Sequence, residues 1–423
     1  MEVDRTCGAD GAHRLGSAGR RAFGRGDMSA AVKLLSRAAA LLPERDPERA
    51  ELLPQLAFAL FETGDFDRLK GVVAETRRTA VASGSSSLEA YAVILGLWID
   101  VAWAPEGWAD EAQREAATAI FAFEAARDDR GLAKAWALLG LVYLVRAQFA
   151  SAEQAWEKAA EHAQRAGDRR DELESLSWVP LVVWAGPTRT ERGLQRCDQV
   201  VERAHGDKKV VASALIAKAA FVAGQGEFDE ARRLIAAART LLEEVALTVW
   251  LAGPVAQFAG WVELLAGDPV AAERHLRWGY EKLNEIGELS WLSTTTALLA
   301  EAVYLSGRSE EAEELTRASE EYAGAEDSYS HALLRNVLAK VLARRGVAEG
   351  AEALARASVT LVDETDFLDL RWHTRMGLAE ILCTGGRGDE ARTVLVEARE
   401  IAERKGNVVA AQRAAALLGG MGH

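Results

Sequence analysis

A turn-and-helix signature that returns ten times constrains this chain more than any other feature. It consists of a glycine-type residue, then a helix start, with a small residue in sixth place. It reads "GDMSAA" from Gly26, "GDFDRL" from Gly64, "GWADEA" from Gly107, "AQFASA" from Ala147 and "GPTRTE" from Gly186. It continues as "GEFDEA" from Gly226, "GDPVAA" from Gly267, "GRSEEA" from Gly307, "GVAEGA" from Gly346 and "GRGDEA" from Gly386. Successive starts lie 38 to 43 residues apart, the interval of stacked helical-pair repeats. The sixth position is Ala31, Leu69, Ala112, Ala152, Glu191, Ala231, Ala272, Ala312, Ala351 and Ala391. Eight of these ten are alanine, more than an alanine-rich chain supplies by chance. The cause is close approach: beside the turn joining two antiparallel helices, a larger side chain overpacks the contact by about 1–3 kcal/mol. The glycine supplies the left-handed backbone that ends the first helix, and a nearby Asp, Ser or Glu starts the second.

One unit carries the pattern in full. "WALLGLVYLVRAQFASAEQAWEKAA" places Trp136, Leu139, Gly140, Tyr143, Ala152, Trp156 and Ala159 at the offsets of the tetratricopeptide (TPR) repeat, large residues filling a gap that Gly140 and Ala152 keep narrow. These are packing residues. The unit from about Glu172 to Ala204 is the most divergent. The reading is an all-α, right-handed superhelical solenoid of about ten TPR-like helical pairs. Residues 1–11 are assigned to an N-terminal tail, 12–406 to the repeat array and 407–423 to a capping helix and tail. "NVVAAQRAAALL" opens that cap on Asn407, a suitable N-cap residue. "SGSSS" at 83–87 reads as a loop between units.

Composition narrows the function. The 423 residues carry a net charge of −14, which argues against a nucleic-acid-binding surface. A small cluster of Arg20, Arg21 and Arg25 reads as a solvated helix face. Cys7, Cys197 and Cys383 are odd in number and isolated, as free thiols of a reducing compartment are. No signal-peptide core opens the chain and no apolar run approaches a membrane span, so the expected location is cytoplasmic, with no membrane partner.

The chemistry-bearing residues form no catalytic set. His13, His162, His205, His275, His331, His373 and His423 make neither an HExxH motif nor a Cys/His cluster, so no metal or cofactor is expected. No G-x-S-x-G elbow occurs. "GGRG" at 385–388 and both "RGD" triplets fall on the repeat turn, which accounts for them.

A wider resemblance rests on "AGRRAFGRGDMSAAVKLL", "LLPQLAFALFETGDF" from Leu52, "LLAGDPVAAERHLRWGYEKL" from Leu264, "TDFLDL" from Thr365 and "ERKGNVVAAQRA" from Glu403. Together they resemble the C-terminal TPR region of large actinobacterial signalling proteins, in which a class III adenylate/guanylate cyclase or another output domain and a P-loop ATPase precede the repeats. The likeness runs from about Ala12 to Leu418. The repeats are also similar to those of maltose-activator-type transcriptional regulators. The chain has no G-x-x-x-x-G-K-[ST] loop, so the resemblance implies only the regulatory or interaction portion.

The TPR register further implies which residues of each first helix face the concave surface. These are Phe58 and Phe61, Leu97 and Val101, Leu141 and Leu144, then Pro180, Val183 and Trp184, then Ile216, Trp261 and Leu264. Towards the C-terminus the lining turns polar: Glu301 and Tyr304, Asn336 and Lys340, His373 and Glu380. Exposed, they would form a groove for a protein or peptide partner with an apolar anchor. Buried by superhelical curvature, they would be core. The functional expectation is a non-catalytic protein–protein interaction scaffold, a regulatory module of a signalling system. The alternative is a small-molecule sensor coupled to a cyclase or transcriptional output.

Overall fold

The computed structural model describes residues 2–43, 46–83, 93–94, 96–97 and 107–421. Among these residues it contains twenty helices and no strand. In chain order they are α1 (Glu2–Gly24), α2 (Met28–Leu41), α3 (Pro47–Thr63), α4 (Phe66–Ser83), α5 (Trp108–Ala126), α6 (Asp129–Val145) and α7 (Phe149–Arg165). Then come α8 (Arg169–Ala185), α9 (Thr190–Ala204), α10 (Lys208–Gly224), α11 (Phe228–Glu244), α12 (Thr248–Ala266) and α13 (Pro269–Ile286). The last seven are α14 (Leu289–Leu305), α15 (Ser309–Tyr322), α16 (Ser328–Arg344), α17 (Ala348–Asp363), α18 (Leu368–Thr384), α19 (Gly388–Lys405) and α20 (Val408–Gly420). Helix α1 takes in the stretch assigned above to a tail, and Val101 and residues 84–87 lie outside the described residues.

Neighbouring helices pack as antiparallel pairs about the signature turns. All eight signature alanines are fully buried, and Leu69 is too. In seven of these eight the alanine is the fourth residue of the second helix, where the pair closes most tightly. The divergent unit has a simple explanation. Gly186 is extended (φ −75°, ψ −170°) rather than left-handed, and α9 starts two residues later relative to its turn than α7 does. The close-packed position therefore moves from Glu191, which is exposed, to Gly193, whose α-carbon abuts the Phe221 ring. The first helices are capped with the same period. Asp128, Asp168, Asp207 and Asp327 each accept a hydrogen bond from the backbone N–H three residues on, as Asn407 does for α20 at 3.0 Å.

Superhelical curvature brings each unit back onto one roughly 217 positions earlier. Ile286 lies against Gly64, Glu326 accepts from the Ala109 N–H at 3.0 Å, and Asp366 accepts from the Phe149 and Ala150 N–H groups at 2.8 Å each. The Gly406 carbonyl accepts from the Thr190 hydroxyl at 3.2 Å. The loops leaving second helices thus cap, in trans, the exposed starts of α5 and α7, whose first N–H groups have no partner in their own helix, while at α9 the contact is made by the Thr190 hydroxyl. Lys405 adds to this seam, its buried ammonium donating to the carbonyls of Trp184 and Gly186 at the end of α8. Such an end carries a partial negative charge, which suits a cation.

The axis of the superhelix is filled with aromatic side chains. Trp156 stacks on Trp178 at 5.2 Å and Trp178 on Trp291 at 6.1 Å, while Trp184 meets Phe258 at 4.6 Å and Phe367 at 5.5 Å. Helix α12 is long and apolar enough to cross a membrane, yet 83% of its apolar window is buried inside this core. Its π-turn at Leu251–Val255 surrounds Pro254, which lacks an N–H to give the regular ladder.

Candidate partner-binding chambers

Most of the residues assigned to the concave face are covered by neighbouring helices. Phe58, Phe61, Leu97, Leu141, Val183, Trp184, Trp261, Tyr304, Asn336 and Lys340 are buried; Leu144, Leu264 and His373 are half-buried. Phe58 packs edge-on against Phe23 at 5.8 Å, and the Leu97 carbonyl accepts from the Trp108 indole at 2.6 Å. Of the packing residues, Trp156 is fully buried, whereas Trp136 and Tyr143 are half-buried, with the Lys158 ammonium 3.9 Å from the centre of the Trp136 ring.

The nearer inner face retains buried charges. Lys209 bridges Glu62 at 2.8 Å and Glu174 at 2.8 Å, between α10, α3 and α8. Burial raises the Glu62 carboxyl above its ordinary range despite the lysine beside it. Removing the lysine would strand two buried carboxyls, so the trio locks three repeats into register.

Among the described residues two larger chambers share Trp261 in their walls. The first, about 120 Å³, is mainly apolar, walled by Trp178, Trp184, Phe258, Trp291 and Tyr329 and closed by the loop Gly324–Asp327. The second, about 540 Å³, lies towards the C-terminus between α12, α14, α16, α18 and α20. It gathers the polar part of the expected lining: Glu301, Lys340, His373 and Glu380. Lys340 donates to both Glu301 oxygens at 2.5 and 2.6 Å, and the His373 Nε2 lies 3.9 Å from the same carboxylate. Burial would raise Glu301, but the Lys340 ammonium overcomes it and holds the carboxyl below its usual range. Burial outweighs Glu301 at His373, pulling the imidazole down to about 4 and leaving it neutral near pH 7. On the wall, the Tyr304 hydroxyl donates to Glu380 at 3.3 Å and the Arg344 guanidinium covers the Tyr304 ring at 3.9 Å.

The mouth of this chamber is apolar and exposed. Leu305 and Leu417 line it and are 48% and 50% exposed, although large apolar side chains are otherwise mostly interior. Asn336, in the adjoining wall, is buried with both amide atoms unpartnered and packs against Gly377. Among the described residues no hydroxyl or thiol hydrogen-bonds to His373, and no three His, Cys, Asp or Glu side chains converge as a metal site needs. The arrangement can hold a ligand with apolar and polar parts. Arg413, Leu417 and Met421 belong to the capping helix or just beyond it, outside the repeat register from which the lining was inferred.

No protein-family model matches the chain, and no curated protein matches it. Among solved structures, a Rap protein complexed with Competence and Sporulation Factor aligns over 86% of this chain and 99% of its own, with a TM-score of 0.61 and 12% identity. Yeast Tom70 aligns over 97% of this chain and 89% of its own, with a TM-score of 0.43 and 13% identity. A Signal Transduction ATPase with Numerous Domains that carries a tetratricopeptide repeat sensor, from Pyrococcus horikoshii, covers 87% of this chain and 54% of its own, with a TM-score of 0.42 and 15% identity. The fold is that of a TPR-like helical solenoid, and the Rap likeness extends over most of its length.

Proposed function

We propose that this chain is a non-catalytic interaction module, the regulatory part of a cytoplasmic signalling system, that receives a segment of a protein or peptide partner in its second axial chamber. The observation that carries the reading is the chamber itself: about 540 Å³, within the range of ligand pockets, with two exposed leucines at its mouth and buried polar groups at its floor. Apolar anchor and polar floor together suit the end of a peptide chain. The sequence resemblance to TPR regions of actinobacterial cyclase–ATPase proteins supports a regulatory setting. The Rap structure, a solenoid of this shape complexed with a factor, is consistent with it. The enclosed floor also favours a second reading, a small molecule sensed in the same chamber.

The test uses random-peptide display libraries, one presenting free C-termini and one free N-termini, selected against the full chain. Sequences enriched on wild type should not be retained by Leu305→Glu/Leu417→Glu. That variant changes two exposed positions, so its circular dichroism should match wild type. Failure of both libraries to enrich, or equal retention by the variant, would contradict a partner site in the chamber.

A further inference from the structure

Arg413 is the one strongly basic group in the second chamber without an acidic partner among the described residues. Lys340 is matched by Glu301, whereas Arg413 makes no ion pair. Its Nη2 donates to the Leu265 carbonyl at 2.7 Å and the Leu264 carbonyl at 3.4 Å, which caps the end of α12. Nε and Nη1 have no hydrogen-bond partner among the described residues, and neither atom is fully buried. A guanidinium presents a planar fork, and here one arm is anchored while the rest stays available. Burial holds it below its usual range, and no acid is paired with it to offset the cost. Half-buried and unpaired, such a cation is expensive unless a ligand supplies the anion.

From this geometry we infer that the second chamber binds the carboxylate of an apolar monoanion, with Arg413 as the anion-recognising residue and Trp261, Trp372, Leu264 and Leu417 around the apolar body. This deepens the reading above and rests on it. Charge selects the monoanion. Lys340 and Glu301 cancel, so Arg413 is the cation left to pair with a ligand, and Glu380 on the same space disfavours a second negative charge. A phosphate or a dicarboxylate would meet Glu380 with its second charge. The hydrogen bonds to the end of α12 anchor one arm of the guanidinium beside the apolar wall, so carboxylate and hydrocarbon enter together. The required carboxylate has two sources: the C-terminus of a peptide or a free alkyl carboxylic acid.

Isothermal titration of the full chain with two pairs of probes tests the inference and separates the sources. The probes are N-acetyl-Leu-Leu-Leu as free acid and as amide, and decanoate with decanamide. At least one acid should bind, at least about tenfold tighter than its amide, because a hydrogen-bonded charge is lost in the amide. Binding of the tripeptide acid alone identifies a peptide C-terminus; binding of decanoate alone identifies a free acid. Arg413→Met should weaken the acid about tenfold and leave the amide unchanged, the amide serving as the control that the chamber is intact. Arg413→Lys should recover part of the loss, and millimolar inorganic phosphate should not compete. Equal binding of acid and amide, an unchanged acid affinity in Arg413→Met, or no binding of either acid would overturn the inference. The wider reading survives those results if library peptides still require Leu305 and Leu417, and falls only if they do not.

Discussion

Asp366→Ala is the sharpest perturbation of the superhelix. The Asp366 carboxylate accepts from the N–H groups of Phe149 and Ala150 at 2.8 Å, one on each oxygen. Both groups belong to the first turn of α7 and lack an intrahelical acceptor. Losing an N-cap costs about 0.5–2 kcal/mol, and a charged cap that uses both oxygens belongs in the upper half of that range. The neighbouring Phe367 packs edge-on against Phe149 at 5.1 Å, so weakening the cap also loosens an aromatic contact across the seam. A loss of about 2 kcal/mol raises the local opening constant roughly 30-fold. Hydrogen exchange read by mass spectrometry should therefore speed up roughly 10- to 30-fold in peptides spanning 146–156 and 362–372, with distant helices unchanged. Asp366→Asn keeps an acceptor but loses the charge, and should fall between the two. Unchanged exchange in Asp366→Ala, or acceleration spread evenly over all helices, would refute the account of the seam as trans-capping.

Two further outcomes follow from the packing and the buried acids. A Cβ on Gly140 would sit 2.6 Å from the fully buried Trp156 ring, so Gly140→Ala should cost about 1–3 kcal/mol in urea unfolding despite its better helix propensity, and Trp156→Phe should offset part of that loss in the double variant. Burial pushes the Glu288 carboxyl up to about 8, against the Ser290 and Trp291 N–H groups that it caps. The folded protein then holds a proton that the unfolded chain releases near its ordinary value, so this group's contribution is full at acidic pH and falls as pH rises towards 8. Glu288→Gln should flatten that decline in thermal midpoint, and parallel profiles for the two proteins would count against a buried, protonated Glu288.

The close-packed alanines are legible in sequence because their cause is local: each sits a few residues from the turn that creates the contact. The same locality made Asn407 readable as a cap. Asp128, Asp168, Asp207 and Asp327 carry an equally regular signal in the turns between units. The divergent unit misled by two residues, because a longer turn after Gly186 shifts the small residue from Glu191 to Gly193. Trp261 meets Trp184 and His373, and Lys340 lines the same chamber, residues that the helical register had grouped because side-chain direction repeats with the helix. Their burial depends on superhelical pitch, a small rotation per repeat summed over roughly 217 residues, and no short motif encodes that sum. The same is true of the contacts of Glu326 and Asp366, whose partners only the returning turn supplies. Arg413 was hidden differently. It lies on the lone capping helix, where no repeat pattern says which face looks inward.

The most direct test of a partner segment in the second chamber uses Cys383, an exposed thiol in its wall. Cys197 is buried with its thiol pushed up to about 12, so in a Cys7→Ser background maleimide labelling reports Cys383. A saturating library-selected peptide should slow that labelling at least about tenfold, and should have no such effect in Leu305→Glu/Leu417→Glu. An unchanged labelling rate on a protein shown by titration to be saturated would put the partner elsewhere and contradict the account.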